Sequence, residues 1–210
     1  MDGDGHEDHE EEQQVELSEA EYLWLQEQMK QLQAMGVADD DDWEDPTGGP
    51  LRELLDATEN DDAEKIKEVL KNSCFPEHIN GAGPDGDTAL HLSCLYGHKG
   101  CFDALLEGGA DVNCVNKQDG STALHDAAAG GYLDIVQVLL SKAKEALLEK
   151  FDEDGDTALH NAARGNHLEV VQFLLDRGAN PNVQNGSGNK PLDEAEEEPV
   201  IALLKPLTKA

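Results

Sequence analysis

The apolar positions after residue 50 recur as pairs of short helical patterns separated by glycine. In the stretch TALHDAAAGGYLDIVQVLL, Leu124, Ala127 and Ala128 share one side of a first predicted helix. Gly130-Gly131 then breaks the pattern. A second predicted helix follows with larger aliphatic residues, Ile135, Val136, Leu139 and Leu140. Small residues let first helices approach one another closely, but no single pair buries its apolar face alone, so the pattern predicts stacked units.

One heptapeptide marks the period of these units. DGDTALH occupies residues 85–91 and 154–160, and DGSTALH occupies residues 119–125. The threonines are therefore spaced by 34 residues (88 to 122) and by 35 residues (122 to 157). GNKPLDEA is a degraded copy with Lys190 at the threonine position, and LRELLDATENDDAEKIKEVL aligns upstream, with Leu54 matching Leu90. We therefore predict five related units.

The unit resembles the ankyrin repeat, whose fingerprint T-P-L-H-x-A has alanine here in place of proline. GADVN at 109–113 and GANPN at 178–182 match the segment that follows the second helix in this family. The resemblance covers about 160 of the 210 residues. It implies an all-α ankyrin-repeat solenoid of helix-turn-helix units with β-turn or hairpin loops. The composition predicts a disordered acidic N-terminal arm before it, at 1–47. The repeat domain spans 48–208, with units at about 50–82, 83–117, 118–152, 153–186 and 187–208.

The heptapeptide is predicted to be structural. Asp-Gly suits a tight turn because glycine accepts positive φ, and threonine caps the first helix. Leucine enters the core, and the histidine ring bonds backbone or a threonine hydroxyl across repeats rather than acting in catalysis or metal binding. The residues concerned are Thr88, Leu90, His91, Thr122, Leu124, His125, Thr157, Leu159 and His160.

Three segments depart from the repeat pattern. KNSCFPEH inserts about three residues after Leu70, so the first outer loop is expected to bulge. SKAKEALLEKFDED replaces the GADVN exit after Leu140, which predicts a longer second helix or a longer loop. In the last unit Pro199 and a deletion shorten the second helix to VIALLK, as expected of a terminal unit.

The N-terminal arm is dense in Asp, Glu and Gln and is predicted to be mostly disordered, since it cannot bury enough apolar surface to offset the entropy of ordering. One segment, 18–35, has a helical stripe of Tyr22, Leu25, Met29 and Leu32 and would dock on the repeats, bind a partner or fray. Trp24 and Trp43 among carboxylates resemble the apolar anchors of acidic interaction segments, although incidental tryptophans in a disordered tail explain them equally well.

Charge narrows the classes of partner. The chain holds 46 acidic and 15 basic residues, a net charge of −31. Such a surface repels phosphate backbones, so direct nucleic-acid binding is disfavoured, whereas basic protein partners would be attracted at low salt. The alternative is that the excess charge serves solubility alone. No apolar run approaches the roughly 20 residues that span a bilayer, and the acidic N-terminus is unlike a presequence. We therefore expect no membrane partner and a cytoplasmic or nuclear location.

Candidate chemistry is sparse. Four cysteines, at 74, 94, 101 and 114, have no CxxC pairing and are expected to be reduced and packed as small hydrophobes. There is no Gly-rich phosphate loop, HExxH or motif-placed Ser/His/Asp or Cys/His pattern. The sequence therefore predicts neither an enzyme, nor a cofactor, nor a metal site.

The resemblance implies a concave groove that binds other proteins through turn tips and exposed ends of first helices. The corresponding tip residues are Asp85, Asp87, Asp119, Ser121, Asp154 and Asp156, and the helix ends include Leu95, Tyr96, Ala129, Gly130 and Arg164. Acidic tips with an aromatic and an aliphatic residue behind them suit a basic, partly apolar ligand. For Asp85, Asp119 and Asp154 the alternative is that the aspartate serves only the turn.

These observations favour a non-enzymatic, monomeric protein-interaction module that binds a partner through the groove and the arm. A narrower hypothesis is a dedicated chaperone of a basic client such as a ribosomal protein. A further alternative is a transcriptional or signalling regulator whose acidic arm recruits other proteins while the repeats provide targeting.

Overall fold

The structure is a computed structural model that describes residues 43–71, 78–143 and 147–208. The compact unit to which they belong begins at Trp43. The predicted arm up to residue 42, its helix at 18–35 and Trp24 lie outside the described residues. Within the described ranges the secondary structure is helical, and two antiparallel bridges, Ala82–Thr88 and Val115–Thr122, close turns between units.

The described helices come in five successive pairs. They are α1 (Pro50–Glu59) with α2 (Ala63–Val69), α3 (Ala89–Leu95) with α4 (Lys99–Glu107), α5 (Ala123–Ala129) with α6 (Leu133–Ala143), α7 (Ala158–Arg164) with α8 (Leu168–Asp176), and α9 (Pro191–Glu194) with α10 (Glu198–Leu204). The predicted all-α solenoid of paired helices is therefore confirmed. None of the described helices has the length and apolar character needed to cross a bilayer.

The threonine and histidine of the heptapeptide begin each inner first helix together. Thr88, Thr122 and Thr157 are the N-caps of α3, α5 and α7 and have extended backbone angles. In each case the threonine Oγ1 lies 2.9 Å from Nδ1 of the histidine three residues later. The threonine N–H also donates to that Nδ1, at 3.1 Å in the α5 and α7 caps. The ring thus replaces the carboxylate or amide of an ordinary capping box.

The core runs continuously along the stack. The three TALH leucines, Leu90, Leu124 and Leu159, are at most 1% exposed. Second helices add larger side chains such as Phe102 and Ile135, both fully buried. Helices α5 and α7 each bury three alanines, which allow neighbouring first helices to approach closely. The apolar faces predicted from the sequence are therefore buried both within units and between neighbouring units.

The loop between the two helices of a unit also joins neighbouring units. Gly97 has φ +72°, and a Cβ atom there would lie 2.2 Å from the ring of Tyr132 in the next unit. Gly131 has φ +76° and is similarly covered by the ring of His167, whose Nε2 lies 2.8 Å from the carbonyl oxygen of Ala129. Glycine is required at these two positions both by the backbone angle and by the close approach.

The irregular units have the lengths that the sequence indicated where the structure describes them. Helix α6 reaches Ala143, two residues beyond the point at which α4 and α8 end in the aligned units. In the last unit α9 has four residues and α10 has seven. The insertion after Leu70 falls mainly on residues 72–77, which lie outside the described residues.

Candidate functional site

The turns between units stack on one another through hydrogen bonds. Asn116 Nδ2 donates to the carbonyl oxygen of Asp85 at 3.1 Å. The backbone N–H groups of Glu153 and Gly186 donate to the carbonyl oxygens of Asp119 and Asp154, at 2.6 and 2.7 Å. These bonds align the three Asp-Gly tips in one row along the stack.

The first helices lie on the same side of the stack as this row. Helices α3, α5, α7 and α9 pack closely in succession, whereas the second helices α6, α8 and α10 touch one another much less. The resemblance to ankyrin repeats implies that the side with the turn tips and the first helices is the concave one. We call this side, with the turn tips and the solvent-facing positions of the first helices, the groove face.

The Asp-Gly aspartates lie at the rim of the groove face. Asp85 and Asp154 are exposed, and Asp119 is half-buried. Asp119 Oδ1 accepts a hydrogen bond from the Ser121 N–H at 2.8 Å, a contact that serves the turn. Within the described part of the chain none of these three carboxylates forms an ion pair.

The residues just before the capping threonines lie deeper. Ser121 is buried, and Asp156 is only 2% exposed. Asp156 binds the Arg164 guanidinium through Oδ2 and accepts from Asn185 Nδ2 through Oδ1 at 2.7 Å. Asp87 is half-buried; burial raises the pKa of its carboxyl, although Asn116 Nδ2 donates to Oδ1 at 2.8 Å. Of this predicted set, Asp156 is therefore committed to contacts within the chain.

The ends of the first helices differ from unit to unit. Leu95 and Tyr96 are 43% and 48% exposed at the end of α3. The Tyr96 ring lies 5.6 Å from the His98 ring, centroid to centroid. At the corresponding end of α7, Arg164 is held by Asp156 and by Glu194, whose Oε2 lies 3.1 Å from Arg164 Nε. Exposed apolar side chains, those of Leu95 and Tyr96, therefore lie at the end of the groove face near α3.

Asp126 is a residue of the groove face that the sequence analysis missed. It lies on α5 and is half-buried, and its Oδ2 is shielded from solvent with no hydrogen-bond partner in the described structure. Burial, with repulsion from Asp87 and Asp119, raises the pKa of Asp126 to about 8. The available signal was an acidic residue among the alanines of ALHDAAA, where the aligned residues are Leu92 and Asn161.

Trp43, predicted as a partner anchor, packs against the repeats. Its ring is half-buried beside the core. The Arg52 guanidinium lies 5.6 Å from the ring centroid, and Arg52 Nη2 donates to the Trp43 carbonyl oxygen at 2.8 Å. The indole therefore has contacts within the folded unit at the start of α1.

The opposite side of the stack has a shallow apolar hollow of about 540 Å³. It lies between the second helices α6, α8 and α10, and its lining includes Leu133, Leu168, Phe173, Pro199 and Leu203. Carboxylates at its edge belong to Glu169 and Asp176. This surface is separate from the groove face.

The described cysteines are packed rather than grouped. Cys94 and Cys101 are buried and Cys114 is half-buried. Burial, together with the nearby Asp61 carboxylate, raises the pKa of Cys101 to about 12, so this thiol is a weak nucleophile. No cluster of three His, Cys, Asp or Glu side chains arranged for a metal ion is found in the ranges that the structure covers.

Comparison with known proteins matches the same repeats. A family model described as Ankyrin repeats (3 copies) matches residues 54–150, and another described as Ankyrin repeats (many copies) matches residues 145–195. The Notch-regulated ankyrin repeat-containing protein of Homo sapiens is 39% identical over 96 residues, which cover 45% of this chain and 83% of that protein. Its Xenopus laevis counterpart is 39% identical over 94 residues, 44% of this chain and 82% of that protein.

A longer protein shares a smaller region. The protein fem-1 homolog A-like of Mus musculus is 48% identical over 60 residues, which cover 29% of this chain and 9% of that protein. The stacked helix pairs, the repeated TALH caps and the family matches that run from residue 54 to residue 195 lead to one conclusion: this chain belongs to the ankyrin repeat family.

Proposed function

We propose that this chain is an interaction module whose groove face binds a basic protein partner in the cytosol or nucleus. Ankyrin repeats are protein-interaction modules, and the proposal adds the site and the chemistry of the partner. One observation carries it: Asp85, Asp119, Asp126 and Asp154 lie along the groove face without an ion pair in the described structure. Exposed Leu95 and Tyr96 beside them add apolar contact area.

Electrostatics support a basic partner over a neutral one. The net charge of −31 attracts cationic surfaces over a distance of about 10 Å at 0.1 M salt. Attraction alone gives little specificity, since any cation is drawn to such a chain. Specificity on this proposal comes from the fixed spacing of the stacked tips and from the apolar residues at one end of the groove.

The test compares two full-length variants of equal charge. In the groove variant Asp85, Asp119 and Asp154 are changed to Asn; in the control variant Glu107→Gln, Asp134→Asn and Glu169→Gln remove three charges from second helices. Each immobilised chain is mixed with cell extract, eluted with stepped salt and analysed by mass spectrometry. We expect basic proteins that elute at modest salt from the parent and the control, and that the groove variant fails to retain. Equal retention by both variants would contradict the proposal.

The dedicated chaperone is a narrower form of the same proposal. The high charge of a small chain supports it, because a basic client released from synthesis needs its cationic surface covered. The chain should then keep an isolated basic client, such as a ribosomal protein, soluble at low salt and lose this effect at high salt. If client solubility does not change between low and high salt, the chaperone hypothesis is wrong and only the broader interaction-module proposal remains.

The regulatory alternative depends on the arm. The relatives named Notch-regulated ankyrin repeat-containing proteins align with less than half of this chain, so they supply no argument about the arm. Residues 1–50 tethered to a DNA-binding domain should activate a reporter gene if the arm recruits transcription machinery. An inactive fragment would count against this function.

A further inference from the structure

In the described part of the groove face, one cation-binding site is occupied by an arginine of the chain itself. Arg164, at the end of α7, is bound by Asp156 of its own unit and by Glu194 of the next unit. Asn185 Nδ2 lies between the two acids and donates to Asp156 Oδ1 at 2.7 Å and to Glu194 Oε1 at 3.1 Å. Two carboxylates from successive units, bridged by an asparagine, thus hold one guanidinium.

The repeat places the same kind of acids two units earlier. Asp87 precedes Thr88 as Asp156 precedes Thr157, and Asp126 is the fourth residue after its cap as Glu194 is after Lys190. The asparagine is also repeated, because Asn116 Nδ2 donates to Asp87 Oδ1 at 2.8 Å. We call Asp87, Asp126 and Asn116 the open acidic site.

What differs is the cation. The position of Arg164, seven residues after the capping threonine, is occupied by Leu95 in the earlier unit. In the intervening pair of units the two acid positions hold Ser121 and Asn161, and the cation position holds Ala129. The two acid positions and the cation position of that pair are therefore all uncharged. Among the inner units that the structure describes, the open acidic site alone has both acids without the arginine.

The pKa shifts of the acids agree with the presence of an arginine at one site and its absence from the other. Burial raises the pKa of Glu194, but hydrogen bonds from Arg164 and Asn189 outweigh it, and the net shift of the Glu194 pKa is downward. Asp126 has no such donor, and burial with repulsion from Asp87 and Asp119 leaves the Asp126 pKa at about 8. A guanidinium placed between Asp87 and Asp126 would relieve this repulsion as Arg164 does for Asp156 and Glu194.

We propose that the open acidic site binds the guanidinium group of an arginine side chain supplied by a protein partner, with Leu95 and Tyr96 packing on the aliphatic stem. This inference rests on the proposed function and names the group that the groove recognises. Arginine is favoured over lysine because its planar fork can donate to both carboxylates at once, as Arg164 does. The exposed Tyr96 ring adds a face on which such a stem or cation can lie.

The first test is an NMR titration of the isotope-labelled full chain with the peptide acetyl-Gly-Gly-Arg-Gly-Gly-amide. The control peptide has citrulline in place of arginine, which keeps the shape and removes the charge. We expect saturable shifts of the amides around Asp87, Leu95 and Asp126 with the arginine peptide only. Shifts that map to another surface, or equal shifts with citrulline, would overturn the inference. Equal binding of a lysine peptide would overturn the assignment of a guanidinium.

The second test compares two variants in which one aspartate is replaced by asparagine. Asp126→Asn places at this position the residue that the next unit already carries as Asn161, so the helix should tolerate it. We expect the arginine peptide to bind this variant about tenfold more weakly, the effect of one charged hydrogen bond. Asp134→Asn, at an exposed position of the second helix α6, should weaken binding less than about twofold, as expected of an exposed charge outside the groove face. Equal losses in the two variants would mean that general charge, not this site, binds the peptide.

The third test fills the site from within the chain. In Leu95→Arg the new side chain occupies the position that Arg164 holds in α7. We expect the pKa of Asp126, followed by carboxyl NMR, to fall from about 8 towards its ordinary value and peptide binding to be lost. An unchanged Asp126 pKa with peptide binding intact would overturn the inference. If Asp126→Asn still retains basic proteins from extract while the groove variant does not, the proposed function stands and only the arginine assignment fails.

Discussion

At the scale of single residues, Asp126 is an acidic side chain in a position that disfavours its ionised form. Its pKa of about 8 lies far above the ordinary value of 3.8, so the folded protein binds more protons than the unfolded chain between these pH values. Stability from this group is therefore present at low pH and is lost as pH rises from about 4 to about 8. The carboxylate is retained at a cost in stability, as is common for residues that serve binding.

Asp126→Asn should raise the free energy of unfolding by about 1–3 kcal/mol at pH 8 and change it little at pH 4, because the neutral amide removes the buried charge. Urea unfolding of parent and variant at the two pH values would measure this. Asp154→Asn, at an exposed tip, is the matched control and should leave stability nearly unchanged at both. A variant that is destabilised at pH 8 would show that the Asp126 carboxylate has a stabilising partner.

Leu124 is the central core residue of the TALH set. It is fully buried on α5 between two neighbouring first helices. Leu124→Ala should lower the free energy of unfolding by about 2–5 kcal/mol, through lost burial and the cavity left behind. Thermal and urea unfolding would measure it. A melting curve equal to that of the parent would contradict the placement of Leu124 in the core.

At the scale of elements, the threonine–histidine caps join each helix start to the next turn. The histidine Nδ1 accepts the threonine N–H, so the neutral ring carries its proton on Nε2. In His125 and His160 this Nε2 lies 3.2 Å from the carbonyl oxygens of Asp156 and Asn189 in the following turns. One side chain thus caps a helix and fixes the stacking of the next unit.

These caps predict sensitivity to acid. Burial lowers the pKa of His91, His125 and His160 below the ordinary 6.5, so the folded state binds fewer protons than the unfolded chain just below that pH. Their contribution to stability is therefore complete above about pH 6.5 and is lost as pH falls towards their folded pKa values. Because Asp126 has the opposite pH dependence, the test uses the difference between the parent and His125→Gln. This difference in unfolding free energy should shrink as pH falls from 7 to 5, so that the two proteins differ in slope. A slope unchanged in this variant would contradict the assignment.

At the scale of the whole molecule, charge repulsion opposes folding. A chain with net charge −31 repels itself more strongly when compact than when unfolded. The described ion pairs are mostly exposed and contribute little, the Arg164 site being the exception with its nearly buried Asp156.

Salt should therefore stabilise this protein. Raising NaCl from 20 to 300 mM should increase the free energy of unfolding by roughly 1–2 kcal/mol, because screening weakens the repulsion. Calorimetric melting at fixed pH would measure the effect, with an equal osmolarity of glycerol as control. A melting temperature that falls or stays constant with salt would mean that specific ion pairs dominate the electrostatics.

The repeat architecture follows from the amino-acid sequence alone. Each TALH segment carries its own cap, core leucine and turn, so the information is local and recurs at a fixed spacing. The longer α6 and the shortened last helix α10 were also indicated by local changes in sequence length. The roles of the acidic groove residues were predicted less completely. Asp87 and Asp156 occupy identical places in the motif, so the motif does not distinguish their contacts.

The role of each groove residue, by contrast, depends on how the units stack. Asp156 is neutralised by Arg164, which also binds Glu194, whereas Asp87 lies near the acidic Asp126 and forms no ion pair with an arginine in the described structure. These differences depend on contacts between residues about 30 positions apart that belong to successive units. The motif occurs once in each unit, but charge pairing and burial arise between units. The site is therefore identified only from the stacked structure.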